Sequence, residues 1–329
     1  MVGVPPFHGP RRQAVLPNPA STPLASDGAG DAAECARLTA LVGSPVVIVE
    51  SVRWGFTNRT RLATLADGRR IAVQRLVDRG SARRRLRLGE RLADRLAAAG
   101  IPTARLLGGD AGAATPFVLH TFVEGRNGAE WLATDAGAVR LARLMGALVP
   151  RLAAVEARGL RLPSTWADPT RLAQVSRRRL ERAASRLDAT TSGALRAAIA
   201  DLEPLFAGRR PVFAHGDFAP VNVLVAPGPG RRGTISALLD LEFARLADPL
   251  FDVAWWGWLV RFHHPGRWPA AWPAFLAAAG LAADRDREPT RFAERVRSLQ
   301  LMHMLERAHC CSGRAATEWA ARLAVTARW

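Results

Sequence analysis

The chain has 329 residues, of which 46 are basic and 29 acidic, giving a formal net charge of +17. That length suits one two-lobed unit or two small domains around a buried core. No apolar run is long enough to cross a membrane as a helix, and the opening MVGVPPFHGPRRQ lacks the charged start and apolar stretch of a secretory leader, so a cytoplasmic location is expected.

Every basic residue is Arg; the chain has neither Lys nor Tyr. With its abundant Ala, Leu, Gly and Pro, this reads as coding bias, yet the charge still sets up a field that favours anionic partners such as nucleotides. The clusters Arg83-Arg84-Arg85 and Arg177-Arg178-Arg179 have no interleaved aromatics and no DNA-binding motif beside them. They read as solvated helix faces, which argues against a nucleic-acid partner. The three cysteines, Cys35, Cys310 and Cys311, make no disulfide framework. The adjacent pair ends a helical apolar pattern and is expected to be buried; His309 beside it does not complete a metal-ligand spacing.

In chain order, residues 1–30 are rich in Pro, Gly, Ala and Ser without an apolar period, and a mobile tail is expected there. Asp31 heads a short helix carrying Leu38 and Leu41. Residues 45–52 read as a strand and Trp54 to Arg59 as a turn. The runs 61–66 and 70–77 flank Asp67-Gly68, a good hairpin turn. A helix is expected from Ala82 to Ala99, closed by Gly100 and stopped by Pro102. Residues 115–123 form a further strand that leads to Glu124-Gly125.

Helices dominate beyond that point. Leu141, Leu144, Leu148, Leu152 and Val155 share a face, with a kink expected at Pro150. Asp168-Pro169 is a good helix start, ahead of Leu172, Val175, Leu180 and Leu187. Leu195, Ile199 and Leu202 make another stripe. A hairpin region from Val212 to Phe243 follows, then an aromatic helical run through Trp255, Trp256 and Trp258 to His263-His264, then two or three more helices.

The chemistry concentrates in His215-Gly-Asp-Phe-Ala-Pro-Val-Asn222 and, one hairpin later, Asp240-Leu-Glu242. Asp217 and Asn222 sit on one short loop, and Asp240 ends an apolar strand run. One carboxylate can orient a hydroxyl nucleophile, while an amide and a second carboxylate can hold Mg²⁺. His215 reads as a brace for the loop, and Asp248 and Asp252 as braces of its backbone or caps of the next helix.

The paired motif H-G-D-x-x-x-x-N and D-x-E resembles the aminoglycoside-phosphotransferase branch of the protein-kinase-like fold, most strongly over 212–258 and more weakly over 46–125. The resemblance implies an α+β, two-lobed kinase-like fold: a β-rich nucleotide lobe over 31–124, a hinge at Glu124-Gly125, and a mainly helical lobe over 125–329. It implies Asp217 as the catalytic base, with Asn222 and Asp240 as Mg²⁺ ligands. Glu242 would be a further ligand or would support one. ATP or GTP would be the donor, held by Gly55, Thr57 and Asn58 of a lean phosphate loop and by backbone groups from Thr121 to Val123. The usual phosphate-binding lysine of the third strand is missing; in that register stands Gln74, followed by Arg75 on the opposite face. Glu90 is the candidate partner for Gln74 or Arg75 on the following helix. Trp255, Trp258, His263 and His264 are candidate contacts for a small-molecule hydroxyl acceptor, although helical spacing puts most of these tryptophans in the core. Antibiotic inactivation is the leading role implied, for an aminoglycoside, a nucleoside antibiotic or a peptide antibiotic. The alternatives are a metabolic sugar or amino-alcohol kinase, towards which Gln74 leans, and a nucleotide-binding pseudokinase scaffold.

Overall fold

The computed structural model describes residues 28–51, 59–228 and 233–329. Its first part is a five-stranded antiparallel sheet with a helix on each side. Helix α1 (Gly28–Val42) leads into β1 (Val46–Ser51), β2 (Arg59–Leu65) and β3 (Arg70–Arg75), followed by α2 (Arg79–Ala98), β4 (Leu106–Asp110) and β5 (Phe117–Thr121). The strand order is β1-β2-β3-β5-β4. The hairpin between β2 and β3 turns at Asp67-Gly68 as the sequence suggests, with Gly68 at φ +82° and Asp67 accepting from the Arg69 N–H at 3.0 Å. Asp78 caps α2 by accepting from Ser81 N at 2.8 Å. Gly100, at φ +68°, ends that helix. Strand β4 escapes the sequence reading because Gly108-Gly109 carries no strand signal; its pairing with β5 supplies the order.

Strand β3 shows how the sheet divides its chemistry. Ile71 and Val73 pack with Leu38 of α1 in an apolar layer. Period-two alternation then turns Ala72 and Gln74 to the opposite face, toward the cavity that they line.

The second part is mostly helical. A short β6 (Arg126–Asn127) precedes α3 (Asp135–Gly146), α4 (Val149–Ala153), α5 (Pro169–Ala183), α6 (Ala189–Ala200) and α7 (Leu202–Phe206). The kink expected at Pro150 is a break: α3 stops at Gly146 and α4 restarts with Pro150 in its first turn. Next come β7 (Val212–Ala214), β8 (Val223–Ala226), β9 (Thr234–Leu238) and β10 (Arg245–Ala247). Strand β7 pairs with β10, and β8 lies between β6 and β9. Helix α8 (Phe251–His263) is followed by four helices rather than two or three: α9 (Trp268–Ala278), α10 (Ala282–Arg287), α11 (Pro289–Cys310) and α12 (Gly313–Ala327). The centre of this part is built around α8 and α11, whose Trp256, Trp258, Leu301, Met302 and Leu305 are sealed from solvent. No helix among the described residues is long and apolar enough to cross a membrane.

Two expectations are corrected here. Cys310 is exposed and Cys311 half-buried, because α11 ends at Cys310 and its buried face stops at Ala308. The arginine clusters are not wholly solvated. Arg83, Arg84, Arg177 and Arg178 are exposed, but Arg179 is held by Glu306 at 2.6 Å and Arg85 is buried. Successive helical residues point about 100° apart, so three in a row cannot all face water on a packed helix.

Candidate active site

The central loop leaves β7 at His215, which is fully buried. Its Nε2 lies 2.7 Å from the Leu239 carbonyl, which can only accept, so Nε2 carries the proton. Nδ1 then accepts from the Asp217 N–H at 3.2 Å. Asp252, in the first turn of α8, takes the N–H groups of His215 at 2.7 Å and Gly216 at 3.1 Å. Burial pushes its carboxyl upward, against the opposing pull of His215 and these two N–H groups. Gly216 sits at φ +87°, and a Cβ there would lie 1.9 Å from the Phe243 carbonyl oxygen, so only glycine fits. Asp248 accepts from Leu250 N at 2.8 Å and pairs with Arg209. Thus His215, Asp248 and Asp252 brace backbone, as their sequence context indicates.

Asp217 lies just outside this frame, at the edge of the cavity. Its Oδ1 accepts from the Trp255 indole N–H at 2.7 Å, and Arg307 stands 3.6 Å from the same oxygen. Asn222 ends the 3₁₀ turn Pro220–Asn222. Its amide donates to the Asp217 carbonyl at 2.8 Å and reaches Oδ2 at 3.3 Å. With its N–H₂ so engaged, the Asn222 side-chain oxygen is the atom left to bind a cation.

Asp240 follows β9 in the left-handed region, φ 56° and ψ 56°, alone among the described non-glycine residues in having a positive φ. That conformation costs about 1–2 kcal/mol, and such strain concentrates at functional sites. Glu242, two residues on, is nearly buried. Burial and the Asp240 charge raise its carboxyl to about 7, with Arg85 opposing. Gln74 Nε2 donates to Asp240 Oδ1 at 3.1 Å. Arg85 donates through Nη1 to Gln74 at 2.5 Å and to Asp240 at 3.3 Å, and through Nη2 to Glu242.

These groups line one cavity of about 520 Å³ between the sheet and the helical part. Its walls include Leu62, Ala72, Leu106 and Leu224, and it extends to Thr121–Val123. His120 also lines it; burial, then Arg85, lowers its pKa to about 4, so it is neutral at pH 7. Among the described residues, no three His, Cys, Asp or Glu side chains gather closely enough to hold a metal. Two carboxylates and an amide do fit Mg²⁺, which takes one or two carboxylates and completes its shell with phosphate oxygens and water.

Not every residue singled out from the sequence reaches this cavity. Gly55, Thr57 and Asn58 fall outside the described residues. Gln74, Thr121 and Val123 line it; Arg75 and Glu90 do not. Arg75 turns to the other face of the sheet and pairs with Glu34 of α1. Glu90 is exposed, and Arg85 takes the place expected of it beside Gln74. The reason is helical phase: Ala82, Arg85, Leu92 and Leu96 form the buried stripe of α2, and Glu90 falls off it. That stripe was readable in the sequence and would have exposed Arg85. Trp258 is core, its indole bonded to Thr326 at 2.8 Å. His263 and His264 lie at the far end of α8, roughly 17 Å along the helix from Asp252, and neither lines the cavity. Trp255 meets Asp217 as a hydrogen-bond donor. Arg307 was not foreseen; it comes from α11, remote in sequence.

The family model for the APH phosphotransferase enzyme family matches residues 48–294. The chain belongs to this family. Like other members of the phosphotransferase family, it is an enzyme that transfers phosphate to an alcohol group, on a kinase-like fold. Solved structures agree on the fold. The GDP complex of wild-type aminoglycoside 2'-phosphotransferase-IIIa superposes with a TM-score of 0.70 at 16% identity, covering 90% of this chain and 98% of that one. An apoenzyme of macrolide 2'-phosphotransferase from Brachybacterium faecium gives 0.61 at 20% identity, covering 89% and 97%. A putative fructosamine-3-kinase from Thermobifida fusca gives 0.56 at 18% identity, covering 90% and 98%. No curated protein matches the sequence.

Proposed function

We propose that this phosphotransferase moves the γ-phosphoryl group of ATP or GTP, with Mg²⁺, to a hydroxyl of a small-molecule antibiotic. The carrying observation is the placing of Asp217. Its carboxylate is fixed by Trp255 and Asn222 at the edge of a cavity that also holds Asp240 and Glu242. In this reading residues 31–124 hold the nucleotide and 125–329 supply the catalytic loop and the acceptor site. Thr121 to Val123 offer backbone groups to the base. Asp217 accepts the hydrogen bond of the acceptor hydroxyl, aligns its oxygen on the phosphorus and takes its proton as the bond forms. Asn222 and Asp240, with Glu242 close by, would hold Mg²⁺, which neutralises charge on the phosphates. The supply of nucleoside triphosphates places the reaction in the cytoplasm.

Aminoglycoside and macrolide phosphotransferases among the similar structures support an antibiotic acceptor. The fructosamine-3-kinase likeness supports the second reading, a metabolic sugar or amino-alcohol kinase. A scaffold role gives way to family membership and to the assembled Asp217, Asn222 and Asp240. A screen of antibiotics and sugars with γ-labelled nucleotide separates the two acceptor classes. With the acceptor found, Asp217→Ala is expected to lower turnover roughly 10²–10⁴-fold while nucleotide still binds. Equal turnover in mutant and wild type would sink the assignment.

A further inference from the structure

The cleft poses a charge problem. Asp217, Asp240 and Glu242 all line it, and a nucleoside triphosphate would bring further negative charge. Kinases answer with a lysine on the third strand, paired to a glutamate on the next helix. This chain has no lysine at all. Among the described residues lining the cavity, Arg85 is the one fixed cation.

We infer that Arg85, reaching in from α2, is the residue that binds the phosphates of the nucleotide, and that Gln74 on β3 is its neutral positioning partner. The usual polarity of the strand–helix pair is thereby reversed. This rests on the nucleotide reading of the cleft given above.

Three observations carry it. Arg85 is only 8% exposed, although an unpaired buried charge is costly. Its Nη atoms are held by Gln74, Asp240 and Glu242, yet its Nε is buried with no partner. The side chain therefore lines the site with its hydrogen-bonding demand not fully met.

The second observation is the double use of the Gln74 amide. Its oxygen accepts from Arg85 and its nitrogen donates to Asp240. A lysine at 74 could donate to Asp240 but could not accept from Arg85, and it would set two like charges side by side. An amide at 74 and a guanidinium at 85 therefore make sense only together.

The third is the choice of arginine. A planar guanidinium can keep one edge on Glu242 while its other N–H groups meet phosphate oxygens, and its rigid fork fixes the directions of both contacts, as a point-charge ammonium does not. Asp240 would be one of the Mg²⁺ ligands, and the Arg85 Nη1 that shares it at 3.3 Å would then be free for a phosphate oxygen.

The test is calorimetric titration of the full chain with Mg·ATP, Mg·GTP and the corresponding nucleosides, which lack phosphate. Arg85→Gln is expected to weaken binding of the preferred triphosphate roughly 10–100-fold and to leave nucleoside binding within about twofold. Arg85→Lys should fall between. Gln74→Lys alone should weaken the triphosphate, whereas Gln74→Lys with Arg85→Glu, which restores the usual polarity, should recover most of the affinity. Thermal melts report folding; if Arg85→Gln does not fold, the double swap carries the test. Equal losses of nucleoside and triphosphate would make Arg85 a structural residue and overturn the inference. Unchanged or tighter triphosphate binding in Arg85→Gln would also overturn it, because the guanidinium would then only be shielding the metal carboxylates. A wild type that binds triphosphate no better than nucleoside would refute the nucleotide reading itself, and this inference with it.

Discussion

Replacing Trp255 by Phe should slow the enzyme without dismantling it. The indole N–H meets Asp217 Oδ1 at 2.7 Å, within the short range of hydrogen bonds to an ionised acceptor. Such a bond contributes about 1.5–3 kcal/mol. Phe keeps most of the ring that stacks on His303, where the centroids are 4.0 Å apart. Asp217 also keeps Asn222 at 3.3 Å and Arg307 at 3.6 Å. With these remaining, about half of the bond's worth should appear in the barrier, or roughly 4–13-fold in kcat. Trp258→Phe is the matched control: it is equally buried, but its N–H goes to Thr326. Both variants should lose a comparable few degrees of Tm. Turnover at saturating nucleotide and acceptor should fall only in Trp255→Phe, with nucleotide KM unchanged. Equal kcat losses in the two variants, or none in either, would show that Trp255 does no more than fill the core.

Three further outcomes are expected. Arg75→Ala should leave nucleotide KM unchanged and lower Tm slightly, because its partner is Glu34 on the far face of the sheet; a large KM effect would mean that β3 is off by one residue. Asp240→Asn and Asn222→Ala should each raise the Mg²⁺ concentration needed for half-maximal nucleotide binding, and chelation of Mg²⁺ should abolish transfer; superimposable metal titrations would dismiss the proposed metal site. Burial pushes Glu306 upward, but the nearby Arg245 and Arg179 outweigh it and bring its pKa below the ordinary value of 4.5. A lowered folded-state pKa stabilises the protein above 4.5, and that contribution disappears as pH falls through the folded value. Glu306→Gln should therefore lower Tm at pH 7 and approach wild type as pH falls below 4.5; a constant gap would remove the ion pair from the explanation.

The hairpin at Asp67-Gly68 and the helix start at Asp168-Pro169 were legible because each rests on bonds within a few residues. The loop from His215 to Asn222 was legible for the same reason: Asn222 reaches Asp217 across five positions. Strand β4 was not, since its order comes from β5. Neither was the fate of His263 and His264, whose distance from the cleft is set by the direction of α8.

By itself the sequence determined the candidate kit, namely Asp217, Asn222 and Asp240 in order, the absence of lysine, and the alternation that separates Gln74 from Arg75. Tertiary structure decided which residues complete the kit. Gln74 and Asp240 lie 166 positions apart and Arg85 and Asp240 lie 155 apart. They meet only because the sheet and α2 close over the β9 turn. A buried guanidinium is costly unless carboxylates and an amide converge on it, and that convergence belongs to the packed molecule. The stripe of α2 marks Arg85 as inward-facing, but no local pattern names the amide and carboxylates that meet it there.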